Sequence, residues 1–162
     1  MKYFDEKWCF STISDDEIDA RLMMYKQYVD SIYNEIPFVL KLFAKSIFFH
    51  DGIIDKIVFS QNNNYLKIHG VFGDLLIGYY FLEINYKNVC VLNEKMLDYI
   101  FKNKNKEVLS NEIEVLINDR YAHRFFFSDK TEIEIVFEDV DIKIENTHQR
   151  SYKRSICDFE IT

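Results

Sequence analysis

Between Phe48 and Ile54 the spacing of apolar residues changes from a helical period near 3.6 to a strand period of 2, which divides the chain into a helical part and a sheet part. Upstream, Ile18, Leu22, Tyr25, Val29 and Ile32 are spaced four, three, four and three apart, with Asp19, Lys26, Gln27 and Asp30 on the other side. That spacing predicts an amphipathic helix. Its start is marked by Ser14-Asp15-Asp16-Glu17, in which the Ser14 hydroxyl can accept from the Glu17 N–H while the Glu17 carboxylate returns to the Ser14 N–H. Ile36-Pro37 interrupts the helix, since a residue before proline is pushed out of the α region. Proline suits a first helical position, so a second helix is expected over Pro37 to Lys45, burying Phe38, Leu42 and Phe43.

Downstream, Ile53 to Phe59 and Tyr65 to Phe72 read as the arms of a hairpin around Gln61-Asn62-Asn63-Asn64. Leu75 to Leu92 is too long for one ordinary strand, which places a bulge or bend at Gly78 or at Lys87-Asn88. Met96, Leu97, Ile100 and Phe101 predict a short helix within Asn93 to Lys106, ending in a lysine-rich run. Glu107 to Ile117, Ala122 to Phe127 and Thr131 to Phe137 are further strands, and Val140, Ile142 and Ile144 alternate with polar residues in another. The last residues, Ser151 to Ile161, can add an edge strand.

The run from Leu82 to Leu92 can be laid on the run from Ile133 to Lys143: aliphatic, Glu, Ile, any residue, aromatic, charged, Asn or Asp, Val. Each follows a hairpin. In the second copy Ile133, Ile135 and Phe137 have one parity and Val140, Ile142 and Ile144 the other, so keeping both sets inside requires a bulge or turn at Glu138-Asp139. Two β-rich stretches of this composition can also look alike without duplication. The expectation is an α+β fold in a single domain, 1–162, with N-terminal helices (1–47) on a β-rich part (48–162). The β-rich part would be an antiparallel sandwich or open barrel of two similar meanders, 53–92 and 107–145.

Composition narrows the function. A formal charge of -7 disfavours binding to a phosphate backbone and permits a basic protein partner. Cys9, Cys90 and Cys157 are odd in number and widely separated, which fits reduced thiols and a cytoplasmic location. No apolar run approaches the roughly 18 residues that span a membrane. With only 4 glycines and no Gly-rich phosphate loop or Gly-x-Ser-x-Gly turn, no nucleotide or other cofactor is expected.

His50-Asp51 is the leading candidate for chemistry, because a carboxylate beside an imidazole can orient a general base. The pair can equally close a helix-to-strand connection, with Asp51 in an Asx turn and His50 capping helical carbonyls. His69 should face away from inward Leu66 and Ile68, and His50, His69 and His123 lack metal-ligand spacing, so no metal is expected. Asp119 to Arg124 is a polar cluster in which Arg120 and Arg124 can clamp an anion beside His123, although a solvated hairpin tip would look the same. Tyr79 can stack on a ligand or serve as a cross-strand ring. Asp129 to Glu145, with seven acidic and two basic residues, is either a solvated face or a docking surface for a basic partner.

Met1-Lys2-Tyr3-Phe4 with Trp8, then Phe49-His50-Asp51 followed by Ile54, and later Gly78-Tyr79, resembles an uncharacterised bacterial family of unknown function. The resemblance implies no activity. Together these features lead to a non-enzymatic protein-interaction or binding domain, of the immunity type that neutralises a protein partner. The alternative is a small ligand-binding or hydrolytic β-barrel using His50 and Asp51.

Overall fold

A computed structural model of the chain describes residues 1–60, 62–74, 78–91, 107–147 and 159–161. The helix expected within Asn93 to Lys106 lies outside the described residues, as does most of Ser151 to Ile161. The N-terminal segment contains a turn that the apolar spacing did not mark: Asp5 caps α1 (Glu6–Cys9) by accepting from the Trp8 N–H at 3.1 Å. Ser14 caps α2 (Asp15–Ile32) by accepting from the Glu17 N–H at 3.3 Å. The return half of the capping box is replaced, because the Glu17 carboxylate takes the charged Arg21 guanidinium one turn on, at 2.7 Å.

Pro37 is the cap of α3 (Phe38–Lys45) in extended conformation, not its first helical residue. The buried stripe runs through Ile36, Leu40, Phe43 and Ile47, and Phe38 is 71% exposed. Two residues from Leu40 is about 200° around a helix, so Phe38 cannot share its face. This corrects the expected burial of Phe38.

The strands are β1 (Gly52–Ser60), β2 (Tyr65–Asp74), β3 (Gly78–Lys87), β4 (Cys90–Val91), β5 (Glu107–Val115), β6 (Tyr121–Phe127), β7 (Glu132–Phe137), β8 (Asp139–Thr147) and β9 (Phe159–Ile161). Their order is β4-β7-β6-β5-β1-β2-β3-β8, with β9 parallel to β1 and every other pair antiparallel. A few helices on a mainly antiparallel sheet make the fold α+β. The long apolar run bends at Asn88, whose φ of 52° is left-handed, and Gly78, with a φ of 85°, opens β3. Beyond that bend, and beyond the matching break at Glu138, the ladder of Lys87↔Asp139 continues at Cys90↔Val136, three residues further along both strands. The change of phase at Glu138 keeps Phe137 and Val140 buried, yet Ile144 is 46% exposed.

Alternation sets the core: Leu66, Ile68, Leu82, Ile84 and Tyr86 are all fully buried. β5 departs from simple alternation. Its outward Glu112 is 1% exposed and accepts from the N–H groups of Lys2, Tyr3 and Phe4 at 2.9, 2.6 and 2.7 Å, which ties the N-terminal segment across the sheet. Among the described residues β5 pairs with β1 at Gly52↔Val108 and Ile53↔Glu107. Past that point two helical tyrosines cover its edge, Tyr25 accepting from the Ile113 N–H and Tyr28 from the Val115 N–H, each at 2.9 Å.

Candidate functional site

Where β5 parts from β1, a cavity of about 750 Å³ opens between α2, α3, the connection leading into β1, and Leu109 to Asn111. Phe4, Trp8, Leu22, Val29, Phe43, Phe48 and Phe49 make most of its wall, with Lys26, Lys45, His50, Ser110 and Asn111 as polar members. Leu22 sits on the apolar stripe of α2 and is still 49% exposed, because it borders this space instead of packing on the sheet. Lys45 is held by Asp30 at 2.6 Å, and the Ser110 hydroxyl lies 3.3 Å from both Cys9 Sγ and the Phe4 carbonyl.

Behind the wall runs a polar chain. Asn111 Nδ2 lies 3.2 Å from His123 Nε2, and His123 Nδ1 lies 2.7 Å from the Tyr86 hydroxyl. Both His123 and Tyr86 are fully buried, with Phe43, Phe49 and Phe125 ring centroids 4.9, 5.2 and 4.1 Å from the imidazole. Burial among these rings pushes the His123 pKa down to about 3 and raises that of Tyr86. His123 is therefore a neutral imidazole at neutral pH.

His50 Nδ1 donates to the Leu109 carbonyl at 2.7 Å, while its Nε2 stands 3.4 Å from Asp51 Oδ1. Asp51 adopts a left-handed φ of 58° and its N–H donates to the Val108 carbonyl at 2.9 Å. These contacts fasten the start of β1 to β5, where the sequence had suggested capping of helical carbonyls by His50. The fold thus puts His50 on the cavity wall and His123 behind Asn111, without direct contact between the two histidines.

The remaining candidates lie elsewhere. Arg124 alternates with inward His123, so it points to the other face of β6, where it engages Glu114 at 2.8 Å and also Glu134. Arg120 engages Glu138 at 3.1 Å. Tyr79 is on the face of β3 opposite Tyr80, whose hydroxyl accepts from the Phe48 N–H at 2.9 Å. His69 does face away from Leu66 and Ile68, and meets Asp55 at 2.8 Å. Asp55 is 7% exposed at the register shift between Ile54 and Lys56, and its hydrogen bond raises the His69 pKa. This is the shorter His–Asp contact of the two, formed across 14 residues of sequence where no local pattern reveals it.

Asn111 was missed. The signal available was the parity of 123, 125 and 127, which puts His123 inside with two phenylalanines and calls for a polar neighbour on the facing strand. Among the described residues no group of three or more His, Cys, Asp or Glu side chains is placed to hold a metal ion. No described helix is long and apolar enough to cross a membrane.

The low His123 pKa has a measurable consequence. The unfolded chain takes up this proton near pH 6.5, whereas the folded chain takes it up only near 3, so stability falls as pH drops through that interval. His69 does not oppose this, since the contribution of a raised histidine is complete below pH 6.5 and is lost only as pH rises. Carboxylates such as Glu83, with ordinary values near 4.5, enter lower down. Urea unfolding at pH 6.5 and at pH 4.5 should therefore differ by about 2 to 3 kcal/mol from this group. In His123→Leu the difference should shrink by that amount, leaving the smaller loss from carboxylates such as Glu83 that begin to protonate near 4.5, and a wild-type curve that is flat over the interval would contradict a buried neutral imidazole.

Compared with protein-family models, with curated proteins and with solved structures, the chain gives no match.

Proposed function

We propose that the protein is a non-enzymatic binding domain that takes a small, mostly apolar molecule into the cavity between α2, α3 and β5. The observation that carries this reading is Leu22, which shares a helical stripe with buried Val29 and yet is 49% exposed where its side chain borders the cavity. A volume near 750 Å³ is in the usual range for small-molecule sites, which combine an apolar wall with a few polar groups. Neutralisation of a basic protein through the acidic strands draws less support. Glu134, Glu138, Asp139, Asp141 and Glu145 are all engaged by cations of the chain itself.

The same reading takes the sheet as an open barrel of two like meanders, one from β1 to β4 and one from β5 to β8. Two observations support it: the unbroken register between the two long bent strands, and a register shift near the start of each first strand, at Ile54/Lys56 and at Val108/Ser110. The cavity then occupies the seam at which the two halves meet incompletely.

Trp8 lines the cavity and is the single tryptophan of the chain, so it reports on occupancy. Titration with N-phenylnaphthylamine should give saturable energy transfer from Trp8. Ala44→Phe, which fills part of the space, should weaken binding about tenfold, equivalent to about 1.4 kcal/mol. Absence of saturable transfer in the wild-type chain, or identical binding by the filled variant, would remove the cavity from consideration.

A further inference from the structure

The geometry points to Asn111 as the specificity-determining residue of this cavity, and to its ligand as an alcohol or phenol carried on an apolar ring system. This rests on the cavity being a ligand site, as argued above. Among the described residues every buried side-chain nitrogen and oxygen has a hydrogen-bond partner. Asn111 spends one amide atom on His123 and makes no other side-chain hydrogen bond among those residues, so its second amide atom is accessible at the cavity wall.

The amide is not free to turn away. His123 is locked by Phe43, Phe49 and Phe125 and by the Tyr86 hydroxyl, and it holds Asn111 from behind. With Nδ2 toward the imidazole, Oδ1 faces the cavity as an acceptor; with the amide reversed, the NH2 faces it as a donor. A hydroxyl both donates and accepts, so it satisfies Asn111 in either state.

A carboxylate is the weaker fit. Of the two lysines on the wall, Lys45 is matched by Asp30 and Lys26 is exposed to solvent, where its charge is screened, so neither offsets the desolvation of an anion drawn against the apolar wall. A hydrocarbon fills the apolar space but leaves the amide without a partner. The rim therefore ranks a neutral hydroxylated ring above both.

Calorimetric titration of the full chain with naphthalene, naphthol and naphthoate separates these cases. Naphthol should bind about threefold to tenfold tighter than naphthalene, the worth of one net hydrogen bond, and tighter than naphthoate. In Asn111→Leu the naphthol preference should fall to parity or below, with naphthalene still bound. If the wild-type chain binds naphthalene and naphthol equally, or naphthoate best, the hydroxyl assignment is overturned while the cavity remains a ligand site. If it binds none of the three, both readings fail. Should Asn111→Leu not fold, the wild-type chain still decides. The Asn111 side-chain NH2 resonances should shift further on adding naphthol than on adding naphthalene, whose ring current alone moves them, and an equal or larger shift with naphthalene overturns the assignment.

Discussion

Phe49→Ala should lower the free energy of unfolding by about 3 to 5 kcal/mol, the range for removing a large ring from a packed interior. Phe49 is 1% exposed, and its ring meets Phe43 of α3, Phe72 of β2, and His123 and Phe125 of β6, at centroid distances of 5.5, 5.3, 5.2 and 5.6 Å. One side chain thus joins a helix to two strands that are not neighbours in the sheet. The backbone beside it leaves no slack for repacking. A Cβ at Gly52 would lie 2.1 Å from Phe72 Cδ1 and 2.7 Å from the Phe49 carbonyl oxygen, so the chain passes there only without a side chain. Urea denaturation of the variant measures the loss. A value below about 1 kcal/mol, the scale of a surface substitution, would show that the cluster does not hold helices and sheet together.

The division into helices and sheet was legible because each half obeys one period over many residues. Ser14 gave the start of α2, and the left-handed Asn88 lies at one of the two places where the strand from Leu75 was expected to bend. Burial on α3 was read correctly at Phe43 and in part at Leu42, but Phe38 took the place of Leu40, since all four are apolar and eight residues define a face poorly. The site was hidden for a different reason. Alternation assumes one wet face per strand, whereas the outward face of β5 is covered by the N-terminal segment and its edge by tyrosines of α2. Nothing in Ser110-Asn111-Glu112 says that Ser110 and Asn111 border a cavity while Glu112 lies under a covering segment. The His69–Asp55 contact was out of reach for the same reason: it depends on a bulge that shifts register by one residue.

Glu112→Gln should cost about 2 to 4 kcal/mol despite preserving shape, because hydrogen bonds to a buried charged group are stronger than neutral ones and the new NH2 faces donors. Three backbone N–H groups, from Lys2, Tyr3 and Phe4, converge on the two carboxylate oxygens, and amide rotation can restore an acceptor to only part of that set. Glu114→Gln is the control, since Glu114 is more exposed and shares Arg124 with Glu134. It should lose about 1 kcal/mol or less. Hydrogen exchange distinguishes release of the N-terminal segment from global weakening: the Tyr3 and Phe4 amides should exchange faster in Glu112→Gln even in buffer where the core of β3 remains protected. Unchanged protection at those two amides would mean that the segment is held by its rings, Tyr3 on Tyr25 and Phe4 on Trp8, rather than by the carboxylate. The two outcomes also differ at the cavity. Phe4 and Trp8 form part of its wall, so a segment tethered by Glu112 must loosen that wall when the charge is removed, and energy transfer from Trp8 to the bound probe should fall in step with the lost protection.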